Sequence, residues 1–164
     1  MARYHQQIQG ATAPAVNALV GGLACVATAG FNLRRVTGGV VTVGSASAPP
    51  DQNCQLGLAI ISVAGTGAIT APSLTSANSQ MNANSPPPLC LPFVSYATTP
   101  PTFTAAGADP FVIPVSSRGG FDLYWEGVEE WQVLKGAANG LAFVNRGNAL
   151  TSPLAWEFLW EWEE

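Results

Sequence analysis

Ten residues near the C-terminus, Leu154-Ala155-Trp156-Glu157-Phe158-Leu159-Trp160-Glu161-Trp162-Glu163, constrain this 164-residue chain more than any other segment. Positions 154, 156, 158, 160 and 162 are large and apolar, whereas 157, 161 and 163 are acidic, and only Leu159 breaks the alternation. A period of two belongs to a β-strand with one dry face and one wet face. A helix would spread the tryptophans and glutamates around its whole circumference. The strand reading predicts that Trp156, Phe158, Trp160 and Trp162 form one wall of a core. Glu157, Glu161 and Glu163 then form an acidic outer stripe on which an arginine-bearing partner docks.

The rest of the chain fits the same class. Thirteen prolines and seventeen glycines interrupt it so often that no window sustains the 3.6-residue apolar period a helix needs. Between these breaks lie short segments rich in Val, Ile, Leu, Phe and Thr, which read as strands. They run over Val16–Leu19, Leu23–Ala27, Leu33–Val36, Val40–Val43, Gln55–Val63, Leu91–Tyr96, Phe111–Val115, Phe121–Trp125, Trp131–Leu134, Leu141–Asn145 and Ala155–Trp162. Gly38-Gly39 reads as a tight hairpin turn between two of them, and Arg118-Gly119-Gly120 reads similarly. So many strands exceed what one sheet holds comfortably. The expectation is an all-β antiparallel sandwich of jelly-roll type, one domain over residues 16–164 behind an N-terminal arm, 1–15. Two polar stretches, Gly65 to Leu89 ending in Pro86-Pro87-Pro88 and Thr98 to Pro110, read as long loops whose role is contact with a neighbouring molecule.

Composition narrows the function classes. Only 10% of residues are charged, against roughly 25% in an ordinary soluble domain, and 48% are apolar. Such a chain covers itself with uncharged polar groups or hides its surface in an assembly. No apolar run reaches the roughly 18 to 20 residues of a membrane helix. The start, Met1-Ala2-Arg3-Tyr4-His5-Gln6-Gln7, places no apolar segment behind a basic one, which predicts synthesis in a cytosol without a secretory signal. A net charge of −4 with six basic residues argues against nucleic acid as a partner. Arg3, Arg34 and Arg35 lie early and most glutamates late, so opposite ends of the chain are expected to pair, within or between subunits.

Chemistry is hard to find. Cys25, Cys54 and Cys90 are about thirty residues apart with no C-x-x-C, which is no zinc framework; buried reduced thiols or a disulfide remain open. His5 is the one histidine, so a Ser-His or Cys-His pair would depend on a residue in the arm. Glu126, Glu129 and Glu130 read as a solvated face before a glycosidase pair. Gly65-Thr66-Gly67 lacks the lysine and helix of a phosphate loop, and Asp51 and Asp109 beside prolines read as turn caps rather than calcium ligands. The expectation is a non-enzymatic protein with no cofactor and no metal. All five tryptophans, Trp125, Trp131, Trp156, Trp160 and Trp162, fall in the last third. Three readings suit them: core, a sugar-binding platform, or a subunit interface.

Three segments carry a resemblance: Leu33-Arg34-Arg35-Val36, Gly136-Ala137-Ala138-Asn139-Gly140-Leu141-Ala142-Phe143-Val144-Asn145, and the closing Trp160-Glu161-Trp162-Glu163-Glu164. Together they look like small β-sandwich virion proteins of tailed bacteriophages, best over the last 45 residues. The resemblance implies a jelly-roll-like sandwich built in many copies into a virus particle assembled in the host cytoplasm. The role it implies is a capsid decoration or cement protein, with a tail, fibre or receptor-binding (carbohydrate-binding) module as the alternative and a secreted surface or filament subunit as a third. The implied partners are the major capsid protein or other virion subunits and further copies of the chain, as a trimer. The residues expected at that interface are Arg3, Tyr4, Arg34, Arg35, Pro86, Pro87, Pro88, Glu157, Glu161 and Glu163, with Ala2–Gln9 of the arm and Ser85–Leu89. The three cysteines and the proline-rich Ser85–Leu89 insert depart from the family's pattern.

Overall fold

The computed structural model describes residues 1–12, 14–43, 51–66, 69–70, 86–96, 98–125 and 131–164. Its elements are β1 (Arg3–Thr12), β2 (Leu19–Ala24), β3 (Phe31–Thr42), β4 (Asn53–Val63), β5 (Ile69–Thr70), β6 (Leu91–Phe93), β7 (Ser95–Tyr96), β8 (Thr102–Phe103), a 3-10 turn at Ala106–Ala108, β9 (Phe111–Ser116), β10 (Gly120–Tyr124), β11 (Trp131–Val133), β12 (Gly140–Asn145) and β13 (Leu154–Glu163). Sheet one runs β1-β13-β3-β10, with β11 also on β3; sheet two runs β6-β2-β12-β4-β8, with β9 also on β4; β5 and β7 form a small ribbon. The chain is an all-β sandwich. Strands β1, β2, β3 and β4 pair with or lie beside β13, β12, β10 and β9, so its two halves wind back on each other, alternating between sheets. This is the jelly-roll winding.

The inner faces meet in one core. From β13 come Leu154, Trp156, Phe158, Trp160 and Trp162, all essentially inaccessible to solvent. Phe143 of β12 inserts between them, its ring centroid 4.7 Å from those of both Phe158 and Trp160. Tyr4 of β1 stacks on Trp162 at 5.6 Å. Ring pairs in offset or edge-on contact add to the burial of their area.

Sheet two is covered on both sides. Ala24, Ala59, Ile61, Phe93, Ala142 and Val144 form a second buried cluster, distinct from the main core, against which Leu19 and Phe103 pack. This explains why every residue of β12 is buried, with no polar alternation in its sequence.

Several expectations need correction. Residues 1–15 are not a free arm: Arg3 to Gln9 pair residue by residue with Glu163 to Glu157 of β13. Tyr4 and Ile8 supply the apolar face that seats the strand, and at the sequence level two such residues among polar ones are a weak signal. Gly38-Gly39 is not a hairpin but the middle of one twelve-residue strand. A Cβ on Gly38 would lie 2.4 Å from the Glu157 carbonyl oxygen and 2.5 Å from the Phe158 Cβ, so glycine is there for the close approach of β13. Arg118-Gly119-Gly120 does turn, with the Gly119 N–H donating to the Ser116 carbonyl, but it carries the chain from β9 in sheet two to β10 in sheet one. The Thr98–Pro110 stretch is not spare loop for a neighbour, because its β8 pairs with β4 and Phe103 packs on sheet two. Most of Gly65–Ser85 and the acidic group Glu126, Glu129 and Glu130 lie outside the described residues.

Candidate assembly surface

The residues singled out for assembly do converge, at one end and along the outer face of sheet one, but most of their interactions stay within the chain. Alternation on β3 would place Arg34 and Arg35 on opposite faces. A register shift against β13, where Glu161 faces Arg35 and Trp162 faces Leu33, leaves Arg34 as an extra residue. Such a bulge re-aims side chains, and here both arginines reach the glutamates of β13.

Glu163 is the hub. Its Oε2 accepts from Arg34 Nη2 at 2.5 Å, and its Oε1 accepts from Arg3 Nε and Nη2 at 2.9 and 2.8 Å. Burial alone would raise the Glu163 carboxyl, but the hydrogen bonds and charges of Arg34 and Arg3 outweigh it and hold the pKa below its ordinary value. One row along, Arg35 forms a two-pronged pair with Asp122, at 2.9 and 2.8 Å, and lies 3.7 Å from Glu161. The hydrogen bond from Arg35 holds the Asp122 carboxyl below its ordinary range. Glu157 accepts from the side chain of Gln7. Glu161 and Glu163 of the acidic stripe are therefore met by the chain's own arginines and Glu157 by its own Gln7, so the expected pairing of the two chain ends occurs within one molecule.

Tyr4 is buried in the core, and only its hydroxyl reaches out, donating to the Pro86 carbonyl at 2.9 Å. The Glu164 side chain accepts from the Leu89 and Cys90 N–H groups at 2.8 and 2.9 Å, and from the Trp162 indole at 3.0 Å. Pro86 to Cys90 is thus fastened to the ends of β1 and β13. Pro86 and Pro87 remain exposed and Pro88 is half-buried.

Sequence reasoning missed a second charged feature on the outer side of sheet two. Arg146 grips Asp109 through Nε at 2.6 Å and Nη2 at 2.9 Å, donates from Nη2 to the Thr104 carbonyl at 2.7 Å and from Nη1 to Asn17 Oδ1 at 2.9 Å. Its guanidinium lies 5.6 Å from the Phe103 ring centre. The side chains are 6% and 0% exposed. Gly57 of β4 makes room, since a Cβ there would lie 2.5 Å from both Arg146 Cγ and Asp109 Oδ2. Asp109 is therefore neither a turn cap nor a calcium ligand but half of a buried clamp, and a glycine inside an apolar strand was its one trace in the sequence. Asp51 pairs with Arg118 at 2.5 Å on the surface.

With these pairs, each of Arg3, Arg34, Arg35, Arg118 and Arg146 has an acidic partner in the same chain. Beside exposed pairs such as Arg35–Asp122 and Arg118–Asp51, the described surface carries apolar side chains: Val63, Val112, Leu91, Tyr124 and Leu134 are all more than two-fifths exposed. Over Gly39 the outer face of sheet one dips into a depression of about 290 Å³ walled by Gln7, Thr37, Val41, Glu157 and Leu159.

Trp125, Trp156, Trp160 and Trp162 are all part of the main core, and Trp131 packs against it. Trp125 and the half-buried Trp131 form a cluster with Phe111, at centroid separations of 5.4 to 6.1 Å, beside the open edge between the sheets. There Ile60, Trp131, Leu134 and Leu141 line an apolar depression of about 230 Å³. Among the described residues no group of three or more His, Cys, Asp or Glu side chains is placed to hold a metal ion. No family model matches this chain, and no curated protein or solved structure matches it either.

Proposed function

We propose that this chain is a non-enzymatic structural protein of a virus particle, a capsid decoration or cement protein that bridges subunits of the shell, with the major capsid protein and further copies of itself as partners. The observation that carries the reading is the disposition of charge: every arginine is paired with an acidic group of its own chain, and among the described residues Val63, Val112, Leu91, Tyr124 and Leu134 stand exposed. Exposed apolar side chains set among uncharged polar ones suit a surface that neighbours cover. The jelly-roll winding is consistent with this, being common in capsid proteins, although lectins use it as well.

The receptor-binding alternative has one observation in its favour, the partly exposed rings of Phe111 and Trp131 beside the buried Trp125, since sugars stack on half-exposed rings. Immunogold labelling of particles from the source organism, with an antibody against this chain, separates the two. Label distributed over the shell is the expected result. Label confined to a fibre tip would favour the alternative, and particles without label would overturn both.

A further inference from the structure

The chain's cysteines are not equivalent. Strands β2 and β6 pair antiparallel, with Gly22 opposite Phe93, Leu23 opposite Pro92 and Ala24 opposite Leu91. One further step in that register sets Cys25 opposite Cys90. The backbone agrees, because both residues turn their N–H groups to other acceptors, Cys25 to the Asn139 carbonyl and Cys90 to the Glu164 carboxylate. Both thiols lie inside the main core, where Cys25 is 4% exposed and Cys90 is fully buried, and the Cys90 thiol donates to the Ala29 carbonyl at 3.8 Å. Cys54 belongs to β4, and its thiol is directed to the Gln52 carbonyl at 3.6 Å. Directly opposed residues on antiparallel strands have Cα atoms about 4.5 to 5.5 Å apart, within the roughly 4.4 to 6.8 Å that a disulfide spans.

We propose that Cys25 and Cys90 are a disulfide-forming pair, which on oxidation by a small-molecule disulfide such as oxidised glutathione staples the β6 edge and the proline-rich segment to β2. This does not depend on the virion reading, and either can fail without the other. The chemistry is two thiol–disulfide exchanges. One protein thiolate attacks the glutathione disulfide, forming a mixed disulfide and releasing one glutathione. The second protein thiolate attacks the protein sulfur of that mixed disulfide and releases the other glutathione. Two electrons pass from the protein sulfurs to the glutathione disulfide, and the two thiol protons end on the released glutathiones. Burial and the neighbouring thiol push Cys90 above the ordinary thiol range, so either thiol reacts as thiolate only when the site opens. Because both sulfurs are buried, exchange takes place while the chain folds or while the short edge strand β6 opens.

The test uses the full chain, unfolded with reductant and refolded either with a reduced and oxidised glutathione mixture or with reduced glutathione alone. Free thiols are then alkylated and examined by intact mass and peptide mapping. The expected oxidised product is a monomer carrying one alkyl group, on Cys54, with the Cys25 and Cys90 peptides joined. It melts roughly 5 to 15 °C above the reduced protein. A Cys54→Ser variant keeps the bond and takes no alkyl group. Alkylation of all three cysteines after oxidative refolding, a bond that includes Cys54, or a bond between chains would each overturn the proposal.

Discussion

At the residue scale the decisive objects are charged groups placed where the sequence offers almost no sign of them. Arg146 and Asp109 are 37 positions apart and share no motif, yet they form a buried two-pronged pair over Gly57. Breaking a buried pair from one side strands the other charge, whereas replacing both by apolar groups is often neutral. Asp109→Asn should therefore lower the unfolding free energy by roughly 3 kcal/mol in a urea titration, and the double variant Asp109→Leu, Arg146→Met should recover most of that loss. A single variant within about 0.5 kcal/mol of the parent would show that the clamp does not hold the β8 segment onto sheet two. The sequence announced the glycine but not its occupant, because a missing Cβ signals a close approach without saying what approaches. The Cys25–Cys90 opposition was hidden in the same way, since it depends on a register between β2 and β6 that 64 intervening residues do not reveal.

At the element scale the alternation in β13 was legible because side-chain period is a local property of the chain, and its inner face is the wall of aromatics it predicted. The outer face was misread for a reason of equal physical interest. Alternation tells which residues face outward but not what stands opposite them, and the bulge at Arg34 and Arg35 is a non-local adjustment to β13. For Glu163 the consequence can be measured. Its folded-state pKa lies below the ordinary 4.5, so the pairing stabilises the protein fully above that value and is lost as the pH falls through the lower, folded-state value. Glu163→Gln should cost about 2 kcal/mol at neutral pH, and this difference should shrink as the parent is titrated into acid. A constant difference down to the acid limit would mean that the ion pairs with Arg3 and Arg34 contribute nothing specific to the charged form. The polar β1 strand and the continuity of β3 through Gly38-Gly39 went unread for a related reason. Each depends on a partner strand, β1 on the far end of the chain and Gly38 on the bulk of Phe158.

On the scale of the whole molecule, low charge, a jelly-roll winding and arginines paired within the chain leave, among the described residues, exposed ion pairs set beside exposed apolar side chains. The second buried cluster already covers part of the outer face of sheet two, so the proposed contact surface is the exposed apolar set Val63, Leu91, Val112, Tyr124 and Leu134. Association through such surfaces depends on excluded water rather than on ion pairs, and salt screens the one but not the other. Sedimentation velocity over a concentration series, at low and at high salt, tests this directly. The account predicts a discrete oligomer that grows in with concentration and persists in high salt; a monomer at every concentration, or an oligomer that dissolves as salt is added, would contradict it.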